Sequence, residues 1–205
     1  MVPTRSMKKP ITAPNTPAPG ETMVDIQPIA YRPSCYNLSL HGYLTPGWTG
    51  RLAAGLAENG IDIVRADAEK ATNISWRSNF EITSGKPEQQ ILELNYLSLA
   101  RKEHPLHQTA PKIALQDYRI NPHREEGSIF VEIWAVDRTG FLRDLLDFFS
   151  LKCLFPVKMN IETIGETVED RFWLKGVGGL PPSPAIAESL KQNLDNLSGF
   201  DCYAI

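Results

Sequence analysis

The chain has 205 residues, 42% of them hydrophobic, enough for one or two packed domains at the usual ~100–200 residues each. A net charge of −3 excludes the basic footprint of a nucleic-acid binder, and no apolar run approaches the ~20 residues of a membrane span. Three cysteines, Cys35, Cys153 and Cys202, show no CxxC spacing and read as reduced, buried thiols of a cytoplasmic protein.

Residues 1–32 hold Pro3, Pro10, Pro14, Pro17, Pro19 and Pro28 and few large apolar side chains. Such a stretch is expected to be a disordered or extended tail. Arg5, Lys8 and Lys9 precede the first acid, Glu21, as in organelle transit peptides. The segment has no Arg-rich amphipathic helix and no apolar core of a signal peptide, which favours the cytoplasmic reading.

Residues 33–122 form a first unit. Tyr36 to Gly42 is a strand, Leu44-Thr45-Pro46-Gly47 a turn, and Trp48 to Asn59 a helix stopped by Gly60. A hairpin follows, Ile61 to about Ala71 and Trp76 to Thr83. A helix then runs from Pro87 through Ile91, Leu94, Leu97 and Leu99 to about Arg101, and Lys112 to Ile120 closes the unit as a strand. Residues 121–127 link it to a second unit, 128–205.

There Ser128 to Val136 is a strand and Asp137-Arg138-Thr139-Gly140 the turn. Phe141 to about Lys152 is a helix with Leu142, Leu145, Leu146 and Phe149 in one apolar stripe. Val157, Met159, Ile161, Thr163 and then Val168, Asp170, Phe172, Leu174 alternate as a hairpin. Ser183 caps a helix beginning at Pro184, with Ile186, Leu190, Leu194 and Leu197 on its buried face. Phe200, Cys202 and Ala204 alternate as a last strand.

The two units are one pattern repeated. Gly47 and Gly140 lie 140 − 47 = 93 residues apart, and at that offset the apolar positions of strand, helix and strand coincide without a gap. A duplication of this kind fixes the architecture ahead of any propensity argument. The predicted class is α+β: two ferredoxin-like βαββαβ sandwiches in tandem, each a four-stranded antiparallel sheet with two helices on one face. Open strand edges and Trp134 and Trp173, on the face away from the core stripe, suggest side-by-side packing and a homodimer or a regulatory protein partner.

Fold alone names no function. The aromatic signature of RNA-recognition motifs, the CxxC of metal chaperones and a Gly-rich phosphate loop are all absent, as are GxSxG, P-loop, HExxH and GxGxxG. His104 and His107 form an HxxH with no converging ligand, so neither a metal nor another cofactor is expected. The pairs Glu125-Glu126 and Glu169-Asp170 read as a linker and a hairpin face, with no sign of general acid/base work. No catalytic residue is assigned, and the chain is expected not to be an enzyme.

VEIWAVDRTGFLRDLLDFF followed by MNIETIGETVEDRFWL resembles an ACT domain, the amino-acid-sensing module. It is similar to the tandem ACT domains of bacterial PII uridylyltransferases and plant ACT-repeat proteins. Asp137, Arg138, Gly140, Leu142, Ile161, Thr163, Asp170 and Phe172 fill the pattern; the first unit keeps only Gly47 and the apolar frame. The resemblance implies a regulatory module without the catalytic domains of those enzymes.

The turn has a physical logic of its own. Free amides and the positive dipole end at a helix start favour an anion such as an α-carboxylate, with Phe141 and Leu142 as donors. Gly140 lets a ligand approach the backbone, and Asp137 suits an ammonium group. The candidate ligand site is therefore Asp137, Arg138, Thr139, Gly140, Phe141 and Leu142. Thr45, Pro46, Gly47 and Trp48 are the candidate second site, where Trp48 either stacks on a ligand or packs as an apolar anchor. The bland alternative is that Asp137 caps the helix and Gly140 eases the turn. Two functions stand: a module binding a small amino acid, and a ligand-free interaction scaffold.

Overall fold

The computed structural model describes residues 20–72, 74–102, 113–124 and 127–198. Among them the chain is α+β, with an eight-stranded antiparallel sheet and five α-helices. In chain order these are β1 (Thr22–Pro28), β2 (Cys35–Tyr43), α1 (Trp48–Glu58), β3 (Ile61–Lys70), β4 (Ser75–Ser84), α2 (Glu88–Leu92), α3 (Tyr96–Arg101), β5 (Asp117–Arg124), β6 (Ser128–Val136), α4 (Phe141–Ser150), β7 (Phe155–Ile164), β8 (Thr167–Lys175) and α5 (Pro184–Ser198). The strands lie in the order β1-β2-β4-β3-β7-β8-β6-β5.

The repeat is visible in the backbone. β2 and β6 begin 128 − 35 = 93 residues apart, and α1 and α4 begin 141 − 48 = 93 apart. The halves join where β3 pairs with β7: Arg65 opposes Glu162, Asp67 opposes Asn160, and Glu69 opposes Lys158. Since 160 − 67 is again 93, the strands meet at equivalent positions, and a pseudo-twofold axis passes between Asp67 and Asn160. The Asn160 amide donates to the Asp67 carboxylate, and Arg65 pairs with Glu162 on the same face.

Alternation places the apolar rows on one face, beneath the helices. Leu38, Leu40, Phe80 and Ile82 of the first half and Val131, Ile133, Phe172 and Leu174 of the second pack with Leu52, Leu56, Leu145 and Phe149. Full burial of each large side chain contributes about 1.5–3 kcal/mol. α1 and α4 pack together across the axis, where Gly50 brings its backbone close to the Leu146 side chain. The other face carries Glu132, Arg171 and Glu169 as an ion-pair row. Trp134 lies on it beneath the Arg119 guanidinium, and Trp173 packs on Phe130 with Lys158 above.

Two strand assignments are corrected. Residues 22–28, placed in the tail, form β1 and pair with β2 along their whole length. No proline interrupts the chain between Pro19 and Pro28, the last residue of β1, and an edge strand needs main-chain pairing more than buried side chains; in β1 only Ile26 packs against the core. Gly42 admits this edge: its φ is +125°, and a Cβ there would lie 2.1 Å from the Glu21 carbonyl oxygen. The strand expected to close the first unit, together with its linker, forms β5, which pairs with β6 of the second half. Tyr118 and Ile120 oppose Ile133 and Val131 there, so its apolar face extends the second core. Each half therefore runs ββαββα, and the strand flanking the first core strand precedes it. The expected last strand, Phe200 to Ala204, lies outside the described residues, as do His104, His107, Glu125 and Glu126.

The helix expected from Pro87 to Arg101 is two. Asn95 accepts a hydrogen bond from the Ser98 amide and so caps α3 afresh. The Tyr96 hydroxyl donates to the Ile91 carbonyl at 2.8 Å and fastens the break. The helix from Pro184 is as expected, with the Ser183 hydroxyl accepting from the Ile186 amide at 3.3 Å.

Candidate functional site

Strand β6 ends where Asp137 donates its amide to the Glu166 carbonyl at 2.8 Å. The chain then turns through Arg138 and Thr139 and enters α4 at Gly140, whose φ of 82° and ψ of 3° are left-handed. A Cβ on Gly140 would meet nothing closer than the Ala57 Cβ at 3.9 Å. The glycine is thus required by its backbone angle, which costs other residues roughly 1–2 kcal/mol, and not by crowding. No side chain caps α4, so Asp137 is not the helix cap.

The turn is partly consumed by its own bonds. The Phe141 amide donates to the Arg138 carbonyl at 3.0 Å, and the Arg138 guanidinium pairs with Asp144. The Thr139 hydroxyl donates to Asp62 of the first half at 2.8 Å. Among the sequence-predicted residues this leaves the Leu142 amide, joined by that of Arg143, with no acceptor inside the protein among the described residues. The expected donor pair, Phe141 and Leu142, shifts by one residue along the helix.

Under the turn lies a cavity of about 40 Å³, room for roughly three waters. The Asp137 to Leu142 turn forms one wall, Ala57, Asp62 and Ile63 of the first half another, and Asp170 lies in its floor. Asp170 is 1% exposed, and neither carboxyl oxygen has a hydrogen-bond partner among the described residues. Burial pushes its pKa up to about 8, and the charge of nearby Asp137 adds to this; the Glu162 amide dipole opposes it without reaching hydrogen-bond geometry. The Asp137 pKa is also raised, first by burial and then by Asp62, against the pull of the Arg138 amide and the Thr163 hydroxyl. Three carboxyls thus face a small space at the positive end of a helix. They can neutralise and hold a cationic group, with the adjacent amides open to an anion.

The first half supplies an internal control. Its turn enters α1 at Gly47 with φ 79° and ψ 3°, the same backbone. Asp170 corresponds to Ser78, equally buried and paired in the same register, β8 against Ile133 and β4 against Leu40. The Ser78 hydroxyl donates to the Leu40 carbonyl at 2.9 Å and is satisfied. A satisfied hydroxyl in one copy and an unpartnered carboxyl in the other isolate Asp170 as a departure from what the fold requires.

The brace at the turn is also repeated, with donor and acceptor exchanged. Arg138 and Asp144 correspond at the 93-residue offset to Thr45 and Arg51. Arg51 reaches back from the helix to the Thr45 hydroxyl at 2.6 Å, the Pro46 carbonyl at 3.1 Å and the Ala100 carbonyl at 3.0 Å. Arg138 is accordingly a turn brace. Trp48 is 1% exposed and packs edge-on to Trp76 and Phe80.

Asp170 fills the pattern of the resemblance, and the pair Glu169-Asp170 reads from sequence only as a hairpin face. Glu169 does face outward, bound to Arg171. The signal for Asp170 was its phase with Val168, Phe172 and Leu174, which puts it in the buried row. No group of three potential metal ligands occurs among the described residues. No helix among them is long and apolar enough to cross a membrane. No family model, no curated protein and no solved structure matches the chain.

Proposed function

We propose that the chain is a non-catalytic regulatory module of the ACT type, two tandem units of permuted ferredoxin-like order in which the flanking strand comes first, that binds a small amino acid under the α4 turn. The observation that carries this reading is the unpartnered carboxyl of Asp170 where the first half has a satisfied serine. An α-ammonium group entering the cavity meets Asp170, Asp137 and Asp62, and the α-carboxylate meets the amides of Leu142 and Arg143 at the helix start. The space admits the polar end of the ligand and leaves its side chain toward the mouth, so small residues fit best. Because the cavity is walled by both halves, occupation bears directly on the joint between them, and a partner or a second copy reading that joint would sense the ligand.

A thermal-shift screen against the twenty amino acids tests this; a ligand at 100 times its Kd adds about 2.7 kcal/mol of stability. Asp170→Asn should abolish the shift, and Asp137→Ala should weaken binding by on the order of 1.5–3 kcal/mol. A shift that survives both substitutions places the ligand elsewhere.

The ligand-free scaffold has one observation in its favour: Arg138, Thr139 and the Phe141 amide already have partners within the protein. On that reading no amino acid shifts the melting temperature, and the open sheet face is the working surface.

A further inference from the structure

The place equivalent to the acidic cavity in the first half is also a cavity, of opposite character. It lies beside the Leu44 to Thr49 turn, at the start of β7 and against the turn at 176–179, and encloses about 350 Å³. That is within the ~300–1,000 Å³ range of small-molecule sites. Its walls include Tyr43, Trp48, Ile74, Trp76, Phe155 and Val177. At its rim Tyr43, Ile74 and Val177 remain substantially exposed, a ring of large apolar side chains around a concavity rather than scattered singly. The Trp48 indole N–H, in the inner wall, has no acceptor among the described residues.

The polar groups at this cavity have one sign. No acidic residue lines it, and its charged lining residue is Lys70, where the second half has Thr163. Lys70 lies with its ammonium 5.9 Å from the Trp76 ring and has no carboxylate partner among the described residues. The amides of Thr49 and Gly50, at the start of the 11-residue helix α1, have no acceptor among the described residues either. Beyond Lys70 the depression continues past Lys158 and Lys175, and the one acid there, Glu69, is engaged by Arg77.

We infer that the first-half cavity binds a small apolar carboxylate, an aromatic or branched aliphatic acid. Its hydrocarbon body packs among Tyr43, Ile74, Phe155 and Val177, above the buried Trp48 and Trp76, and its carboxylate faces Lys70 and the first amides of α1. The site needs both halves, since Phe155 and Val177 belong to the second. It discriminates against a free amino acid, because nothing in its lining is placed to neutralise an ammonium group. This inference is independent of amino-acid binding under the α4 turn.

Calorimetric titration of the full chain with 3-phenylpropionate and 4-methylvalerate, followed in parallel by tryptophan emission, tests it. At least one acid should bind saturably at one equivalent and perturb the emission of Trp48 and Trp76. With the same body, 3-phenylpropan-1-ol should bind roughly ten-fold more weakly for want of the charged hydrogen bond, and 3-phenylpropylamine should not bind. Lys70→Met should remove the preference for acid over alcohol. Val177→Glu, at a position 63% exposed and safe for folding, should abolish binding. Asp170→Asn should leave it unchanged. The inference is overturned if neither acid saturates at millimolar concentration, if the amine binds as well as the acid, or if Val177→Glu binds like the parent. Loss of acid binding in Asp170→Asn but not in Val177→Glu would assign the acid to the other cavity and overturn it equally.

Discussion

The two helix-entry turns share one backbone and carry opposite chemistry. Gly47 and Gly140 differ by 3° in φ and not at all in ψ, and each turn is tied to its helix at the same two positions. Yet one roofs a small acidic space over Asp170, and the other borders a large apolar one beside Lys70. The comparison separates what the fold needs from what it merely tolerates. The left-handed glycine and the brace are needed, since both copies keep them while changing the residues that make the brace. An unpartnered buried carboxyl is not needed, since a bonded serine serves in its place.

The sharpest way to break this comparison is pH. Asp170 has a folded pKa near 8, against an ordinary value of 3.8 when the chain is unfolded. Through the interval between them the unfolded chain releases a proton that the folded protein retains. The stability present below about pH 4 is therefore lost progressively as pH rises to about 8, by on the order of 5 kcal/mol. Chemical denaturation of Asp170→Asn should lack most of this slope, while Ser78→Ala should cost about 1 kcal/mol at every pH. An unchanged slope in Asp170→Asn would mean that the carboxyl is ionised in the folded protein. The same logic applies to the ligand: a cation beside Asp170 stabilises its charged form and expels the proton. Amino-acid affinity should then rise with pH up to about 8, with proton release measurable by calorimetry in buffers of differing ionisation enthalpy.

The braces come next. Arg51 bonds three carbonyls and a hydroxyl, one of them the Ala100 carbonyl that ties α3 to α1. Arg51→Ala should cost about 2 kcal/mol by equilibrium unfolding, in the range of charged hydrogen bonds. Arg138 is 42% exposed and pairs with Asp144 at the surface, so Arg138→Ala should cost at most about 1 kcal/mol. A reversed order would show that the second turn depends on its ion pair more than its exposure implies.

The glycines should be nearly equal. Gly47→Ala and Gly140→Ala each force a Cβ into left-handed backbone, at about 1–2 kcal/mol. Gly47→Ala should be the costlier by a small margin, because its Cβ would lie 3.2 Å from an Arg51 guanidinium nitrogen. A larger gap between the two melting temperatures would mean that the turns are not mechanically equivalent.

Much of the frame was legible because alternation and the 93-residue offset are local signals. β6 begins and ends at the expected residues, and α4 starts where its stripe does. Strand adjacency was not legible in the same way. A half that reads βαββαβ and one that reads ββαββα contain the same segments, and the difference lies in which free edge the flanking strand meets. Nothing in Thr22–Pro28 announces a partner; Gly42, on the strand it pairs with, is the residue that makes room for it. In the site, Asp137 and Gly140 stood out by type. The engagement of the Phe141 amide and of Arg138 depends on turn bonds that no residue pattern displays. Asp170 was legible by phase as a member of the alternating row, but that phase does not show that its carboxyl has no partner.

The meeting of β3 and β7 at Asp67 and Asn160 has an evolutionary reading. A single unit pairing with its own copy about a true twofold axis would set identical residues opposite each other on that axis; two aspartates there would repel. Once both units belong to one chain, the axis residues are free to differ, and here an amide faces a carboxylate. The same freedom extends to the cavities. A symmetric pair must carry two copies of whatever it binds, whereas a fused pair can give each mouth its own taste while keeping the mechanical joint that connects them.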